Sequence, residues 1–399
     1  MKHLILLFAL TILPLSGFAQ SGTTGNLTWS ITNGTLTISG TGIMPDYLND
    51  ADHDNVPWRS HRANINKVII NNGVTSIGLY AFSDCSSLTS VSIPNSVTGI
   101  GIFAFYNCRN LTSVAIPNSV ISIGNYAFYS CSSLTSVIIP NSVTSIGVQV
   151  FMYCTSLTSV SIPNSITGIG ESMFYGCSGL TSVSIPNSIT SIGRAAFFDS
   201  GLISISIPNS VTSIGRAAFQ HCISLTSASI PNSVTSIGEY AFTDCISLTS
   251  VSIPSSVTSI GNNAFDGCRS LTSVTVQWTI PLIVSGNTFE YTNVSQCTLI
   301  VPAGTKALYQ AAPVWKDFFV TTVGNESVSA SPPLVYAANH TLYIELAQPD
   351  VITVYGISGQ KLWERQIPAG AATVNADRFP QGVLIVKGSS GWVKKVVNL

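Results

Sequence analysis

The dipeptide Ile-Pro returns at Pro94, Pro117, Pro140, Pro163, Pro186, Pro208, Pro231 and Pro254, always 23 residues on except for one step of 22 between Pro186 and Pro208. Asn71 holds the same position one unit earlier, so nine units run from Asn71 to Val276. A segment this short cannot bury an apolar edge alone; copies must stack and share a core. A period in the twenties predicts a leucine-rich solenoid with one short strand per coil.

One unit shows how a coil is built. Leu88-Thr89-Ser90-Val91-Ser92-Ile93 alternates apolar with polar residues, as a half-buried strand does. Pro94 has no backbone donor and ends the strand. Val97, Ile100 and Phe105 then turn inward on the return path, with Gly101 allowing the bend.

The flanks divide into further segments. Met1-Lys2-His3, an apolar run from Leu4 to Leu15 and Gly17-Phe18-Ala19 predict a secretory signal peptide over 1–19. Residues 20–70 are expected to form an N-terminal cap. Leu27–Ile31 and Thr35–Ile38 make a hairpin around Asn33-Gly34, with Trp58 covering the first coil. Residues 277–323 are expected to close the far end, with a strand at Leu299–Gly304 and an aromatic helix from Tyr309 to Phe319. Residues 324–334 read as a linker. Beyond it, 335–399 carries short alternating runs (Thr341–Leu346, Val351–Tyr355, Val383–Val386, Trp392–Val397) that predict a small all-β sandwich.

Composition removes several functions. Only 8% of the 399 residues are charged and the net charge is −1, so the basic footprint of a nucleic-acid-binding protein is absent. With 45% hydrophobic residues, the chain is also no charged disordered tail. No run approaches the ~20 apolar residues of a membrane-spanning helix.

Chemistry is sparse within the repeats. Their acidic residues are Asp84, Glu171, Asp199, Glu239, Asp244 and Asp266; their basic ones are Arg109, Arg194, Arg216, Arg269 and the histidine His221. These are scattered around the coils, and no nucleophile, metallohydrolase or nucleotide motif occurs. A non-enzyme without cofactor or metal is expected. Cys85, Cys108, Cys131, Cys154, Cys177, Cys222, Cys245 and Cys268 form one column, which the short unit interrupts with Asp199-Ser200-Gly201. Parallel side chains about 4.8 Å apart suit a disulfide poorly, so the column reads as a buried thiol ladder, with Cys297 a lone thiol in the cap. Asp50-Ala51-Asp52-His53-Asp54-Asn55 has calcium-loop spacing, but it lacks the sixth-position Gly and has His61 in place of the closing Glu. It reads as a solvated acidic loop.

Two surfaces are available to a partner. The strand face repeats Thr89 and Ser90 with little change, a hydroxyl carpet suited to glycans or, remotely, to an ice-like lattice. Variation concentrates after the Gly and before the Cys. There Tyr106, Tyr129, Met152, Tyr175 and Phe198 fill one column, and Tyr80, Phe103, Tyr126 and later Tyr240 fill its neighbour. Stacked aromatics can be packing alone. Exposed, they make a contact patch. These nine residues are the candidate ligand-binding site.

Two resemblances add to this reading. The nine in-phase repeats, Leu27-Thr28-Trp29 with Asn33-Gly34-Thr35-Leu36-Thr37-Ile38-Ser39-Gly40, and Val301-Pro302-Ala303-Gly304-Thr305 with Tyr309 and Trp315 resemble BspA-like leucine-rich-repeat proteins. The resemblance runs from about Gly25 to Thr322 and implies a bacterial surface scaffold that binds matrix or other cells; ligand identity does not carry over. Val354-Tyr355-Gly356-Ile357-Ser358-Gly359-Gln360, Phe379-Pro380-Gln381-Gly382-Val383-Leu384-Ile385-Val386 and Lys394-Lys395-Val396-Val397 resemble the C-terminal sorting domain of type IX secretion substrates, with Leu384 where that family usually has Tyr. That resemblance implies engagement of the type IX machinery and display on the outer surface of a Gram-negative cell. The function expected is non-catalytic binding of an extracellular protein or cell-surface ligand, or alternatively of a carbohydrate.

Overall fold

Alternation within Leu-Thr-Ser-Val-Ser-Ile puts Val on the opposite side from the flanking Ser residues, and this repeated segment forms a ladder of short parallel strands. Ser90–Ser92, Ser113–Ala115, Ser136–Ile138 and Ser159–Ser161 pair in register, with Val91, Val114, Val137 and Val160 stacked. Ser204–Ser206, Ser227–Ser229, Ser250–Ile253 and Ser273–Val276 continue the pattern beyond an interruption. The structure, a computed structural model, describes residues 20–48, 54–319, 334–338, 341–346, 349–389 and 393–398. The signal segment 1–19, linker residues 324–333 and Asp50–His53 of the acidic loop lie outside the described residues. Two compact units divide the chain, Met1–Thr321 and Thr322–Leu399.

Each coil carries a second strand that its sequence did not announce. After the Pro turn (Val97 N–H donates to the Pro94 carbonyl at 3.1 Å), Gly99–Ile100 pairs in parallel with Ser122–Ile123, and that strand with Ser145–Ile146. Two residues are too few to show a period, so the segment had read as a bend. A third side is closed by the turn from Gly to Cys. There Tyr126, Phe128 and Ser130 donate their N–H groups to Val148, Val150 and Met152 of the next coil at 2.8 to 3.0 Å.

Inside, the phenylalanines form a spine. Phe82, Phe105, Phe128, Phe151, Phe174, Phe197, Phe219, Phe242 and Phe265 are fully buried, and successive rings stack 5.2 to 5.9 Å apart. Phe289 adds a tenth ring, 5.5 Å from Phe265, and Thr298–Ile300 pairs in parallel with Ser273–Val276. A tenth coil therefore opens the segment that reads as a cap, its repeat signature eroded. Beside the spine, the thiols of Cys108, Cys131, Cys154 and Cys177 each donate to the Phe carbonyl one coil back at 3.1 to 3.2 Å, and Cys222, Cys245 and Cys268 repeat this. In the tenth coil Thr292 takes the thiol's part, donating to Phe265 at 2.8 Å. Ser200 fills the same buried place in the short coil, 3.3 Å from the Cys222 sulfur.

Both ends of the spine meet tryptophan. Leu27–Thr32 and Thr35–Gly40 form the expected hairpin, with an unforeseen strand Gln20–Thr24 outside it, and Thr35–Gly40 pairs in parallel with Lys67–Ile70. Trp58 stacks 5.8 Å from Phe82 and donates its indole N–H to the Ala81 carbonyl at 2.9 Å. At the other end Trp315 and Phe318 pack edge-on to Phe289. The segment expected as one aromatic helix is two pieces, Lys306–Ala311 and a 3-10 turn Trp315–Phe319. Pro313 separates them, because it disfavours helix at the residue before it.

The second unit is antiparallel throughout. Leu334–Ala338, Thr341–Leu346 and Gly370–Asn375 make one sheet, and Lys361–Ile367, Asp350–Gly356, Gly382–Gly388 and Val393–Asn398 the other. Leu342, Ile344, Ile352, Val354, Leu384 and Val386 are buried in a core common to both sheets. Leu384 is fully buried where the resembled family has Tyr. Leu334–Ala338, Lys361–Ile367 and Gly370–Asn375 are strands that the sequence does not mark, because charged and small residues blur their alternation.

Candidate functional site

The turn between Gly and Cys projects the variable residues. It reverses direction through two left-handed residues per coil, such as Tyr126 (φ 58°) with Ser130 (φ 55°), or Phe103 (φ 54°) with Asn107 (φ 60°). The second position holds Asp, Asn, Ser, His or Gly in most coils; Asn, Asp and Gly tolerate this conformation best. The first holds Tyr80, Phe103 and Tyr126, where a left-handed aromatic costs on the order of 1–2 kcal/mol. Such strain persists only where the surroundings over-determine it. Here the interchain-like ladder of turn hydrogen bonds and the ring stacking supply that constraint.

Two aromatic columns merge into one strip. Tyr80, Phe103 and Tyr126 stack face to face at 4.6 Å with planes 1° and 5° apart. Tyr106 and Tyr129 stack at 4.9 Å, and Phe103 and Tyr126 touch them across the columns at 5.5 and 6.1 Å. Tyr175 and Phe198 stack at 4.4 Å, and Phe198 meets His221 at 5.2 Å. Met152 stands half-buried in the column between Tyr129 and Tyr175, without a ring. Tyr153 bridges that gap instead, edge-on to Tyr129 at 5.6 Å and to Tyr175 at 5.4 Å. It is the most exposed ring of the strip at 37%. Tyr153 is the one aromatic among the nine repeats in a column of Asp, Asn, Ser, Gly and His, and that singularity is the sequence signal for it. Tyr240 stands apart, beneath the Arg216 guanidinium at 5.4 Å.

The charges of this face gather toward the C-terminal coils. Arg194 faces Glu171 at 3.5 Å, Arg216 faces Glu239 at 3.6 Å and His221 faces Asp244 at 3.5 Å, all substantially exposed. Exposed pairs like these contribute little stability and leave polar groups available to a partner. Burial pushes the phenols of Tyr129 and Tyr175 above their usual range, so both present neutral hydroxyls.

The strand face is less available than its composition implies. Thr89, Thr112, Thr135 and Thr158 each donate the side-chain hydroxyl to the carbonyl one coil back at 2.9 to 3.3 Å. Thr98, Thr190, Thr212, Thr235 and Thr258 do likewise beside the second ladder. These hydroxyls latch coil to coil. In the acidic loop, Asp54 is engaged by Arg62 in a largely buried ion pair. Among the described residues, no three or more His, Cys, Asp or Glu converge on a possible metal position.

Similarity to known proteins agrees with this architecture. The family profile described as BspA type leucine rich repeat region matches residues 60–181 and 167–296, together more than half of the chain. A leucine-rich repeat protein from Bacteroides ovatus is 26% identical, over 69% of this chain and 86% of its own, with a TM-score of 0.46. One from Eubacterium ventriosum is also 26% identical, over 71% and 96%, with a TM-score of 0.44. A leucine rich cell surface protein from Faecalibacterium prausnitzii is 25% identical over 64% and 94%, with a TM-score of 0.33. No curated protein matches. With the profile spanning the stacked coils, the chain belongs to the BspA-type leucine-rich repeat family.

Proposed function

We propose that this protein is a non-catalytic, protein-binding adhesion module displayed on the outer cell surface, and that the strip from Tyr80 to Phe198 is its contact surface. The observation that carries this reading is the continuous row of half-exposed rings on the one face where the repeat varies. Aromatic side chains dominate the energetics of protein interfaces. Ring orientation favours protein over sugar. A saccharide stacks on an open ring face, whereas most faces here are covered by the next ring at 4.4 to 4.9 Å, leaving edges and hydroxyls outward. The consumed threonine hydroxyls weigh against the strand face as a glycan platform in the same way. Export rests on the signal segment 1–19 and on the resemblance of 335–399 to a type IX sorting domain, which also makes the secretion machinery a partner.

The test sets the mature chain, 20–399, against a panel of extracellular-matrix proteins and a glycan array in parallel. Binding on the protein panel is expected, with Tyr129→Ala plus Tyr175→Ala weakening it without lowering the melting temperature. Binding confined to glycans would replace the reading with the carbohydrate one.

A further inference from the structure

Among the described repeats, one coil interface loses both of its strand ladders together. Between the Phe151 and Phe174 coils the second ladder stops: Ser145–Ile146 ends one sheet and Gly168–Ile169 begins another. On the strand face Ser182–Ser184 joins its predecessor only through a Ser161–Ser184 bridge, and Ser204–Ser206 on its far side begins a new sheet. This ladder is therefore interrupted around that one strand, whereas the second ladder resumes at once by pairing Gly168–Ile169 with Ser191–Ile192. Elsewhere Thr112, Thr135, Thr158 and Thr226 donate their N–H groups one coil back, and Gly147 and Gly193 donate to Ile123 and Ile169. Among the described residues no such bond joins Thr181 to Thr158, Thr167 to Thr144 or Gly170 to Ile146. The gap is also measurable at the glycines. A side-chain carbon placed on Gly124, Gly193, Gly215, Gly238 or Gly261 would lie 2.3 to 2.7 Å from the preceding coil, but on Gly170 the nearest atom is 3.5 Å away. Phe151 and Phe174 are the widest pair of the spine at 5.9 Å. A cavity of about 480 Å³ opens beside Val160, Ser161, Ile162, Asn164, Ser184 and Pro186.

The sequence also departs from the repeat at this interface. The residue before each Phe is Ala81, Ala104, Ala127, Ala196, Ala218, Ala241 or Ala264, but Val150 and Met173 on the two coils flanking the gap. Both are buried, so extra side-chain volume sits where neighbouring coils must touch, and over-packing displaces backbone. The turn side stays closed: Gln149, Phe151 and Tyr153 donate to Glu171, Met173 and Tyr175 at 2.9, 3.1 and 2.8 Å. On this same side Tyr153 meets its neighbours in the two adjoining coils, Tyr129 and Tyr175, edge-on, where Tyr106–Tyr129 and Tyr175–Phe198 stack face to face from coil to coil.

We propose that the interface between the Phe151 and Phe174 coils is a built-in hinge, wedged open by Val150 and Met173 on both strand faces and held on the turn face. It divides the array into two cooperative units and lets the strip bend at Tyr153 without breaking a ring stack. In repeat proteins stability is a sum over neighbour interfaces, so the weakest interface sets where the array opens. Nothing in this requires the strip to bind protein.

Native-state hydrogen exchange of the full chain tests it. Peptides containing Thr167, Gly170 and Thr181 are expected to exchange at least about tenfold faster than those containing Thr144, Gly147 and Thr226, as sub-global opening predicts. Val150→Ala plus Met173→Ala, which restores the prevailing residue, is expected to slow them to the neighbours' rate. Equal protection in the wild-type chain would overturn the hinge, as would a folded double variant with unchanged exchange. Should the double variant not fold, the wild-type contrast alone decides.

Discussion

A buried position lined by one residue type in eight coils invites the thought of covalent pairing, but the column beside the spine selects for a small donor. Cys fills it, and so do Ser200 and Thr292, while the thiols and the Thr292 hydroxyl reach a Phe carbonyl one coil back. All nine cysteines are free and buried. A thiol reagent is therefore expected to label none in the native chain and all nine after denaturation without reductant; fewer would reveal disulfides. Cys131→Val, which keeps volume but removes the thiol donor, is expected to cost about 0.5–1.5 kcal/mol, the worth of one hydrogen bond, because the Phe105 carbonyl still accepts the Cys108 N–H at 3.2 Å; Cys131→Ser is expected to cost less. Both are read from urea midpoints. Alkali provides a further check. Burial pushes the thiols of Cys85, Cys177 and Cys222 up to about 12, whereas a free thiol titrates near 8.5. Raised values mean that this stability is complete below about pH 8.5 and is lost as pH rises toward about 12. The melting temperature should fall over that window, and fall less steeply in a Cys177→Ser variant.

At the scale of the coil, the spine sets the energetics. Phe128 is fully buried between Phe105 and Phe151, so Phe128→Ala should cost about 3–5 kcal/mol in a denaturant titration. A cost below 1 kcal/mol would mean the coils do not depend on the stack. What the sequence displays is whatever repeats in phase, the Leu-x-x-Val-x-Ile strand, the Pro stop and the thiol column, together with the local Asn33-Gly34 hairpin signal and Trp58 as a lid. What it concealed was whatever lacks a period of its own. A two-residue strand has none, and the tenth coil keeps Phe289 but replaces the bend Gly by Ser285 and Cys by Thr292. Val150 and Met173 looked like conservative apolar exchanges, and their consequence emerges only where two coils must touch. For the candidate site, the columns of aromatic residues could be read directly, but their fusion through Tyr153 depends on how the turn aims two adjacent positions. Tyr240, in the same column as Tyr126, is separated from it by the non-aromatic Gln149, Ser172, Ala195 and Ala217 and joins the charged end instead.

For the solenoid as a whole, near-neutrality follows from a scaffold whose hydroxyls latch coil to coil, so the surface able to discriminate partners is the turn face. The measurement that bears on this most directly compares affinities for a protein ligand identified on the panel. Variants would be placed on each face of the full chain. Tyr129→Ala plus Tyr175→Ala alters the strip, while Ser136→Lys plus Ser227→Lys alters exposed strand-face positions. Loss of at least about tenfold in the strip variant, equivalent to about 1.4 kcal/mol, with the strand-face variant within about twofold and both melting as wild type, is the result expected. Undiminished binding by the strip variant together with loss in the strand-face variant would contradict it and move the site to the strands.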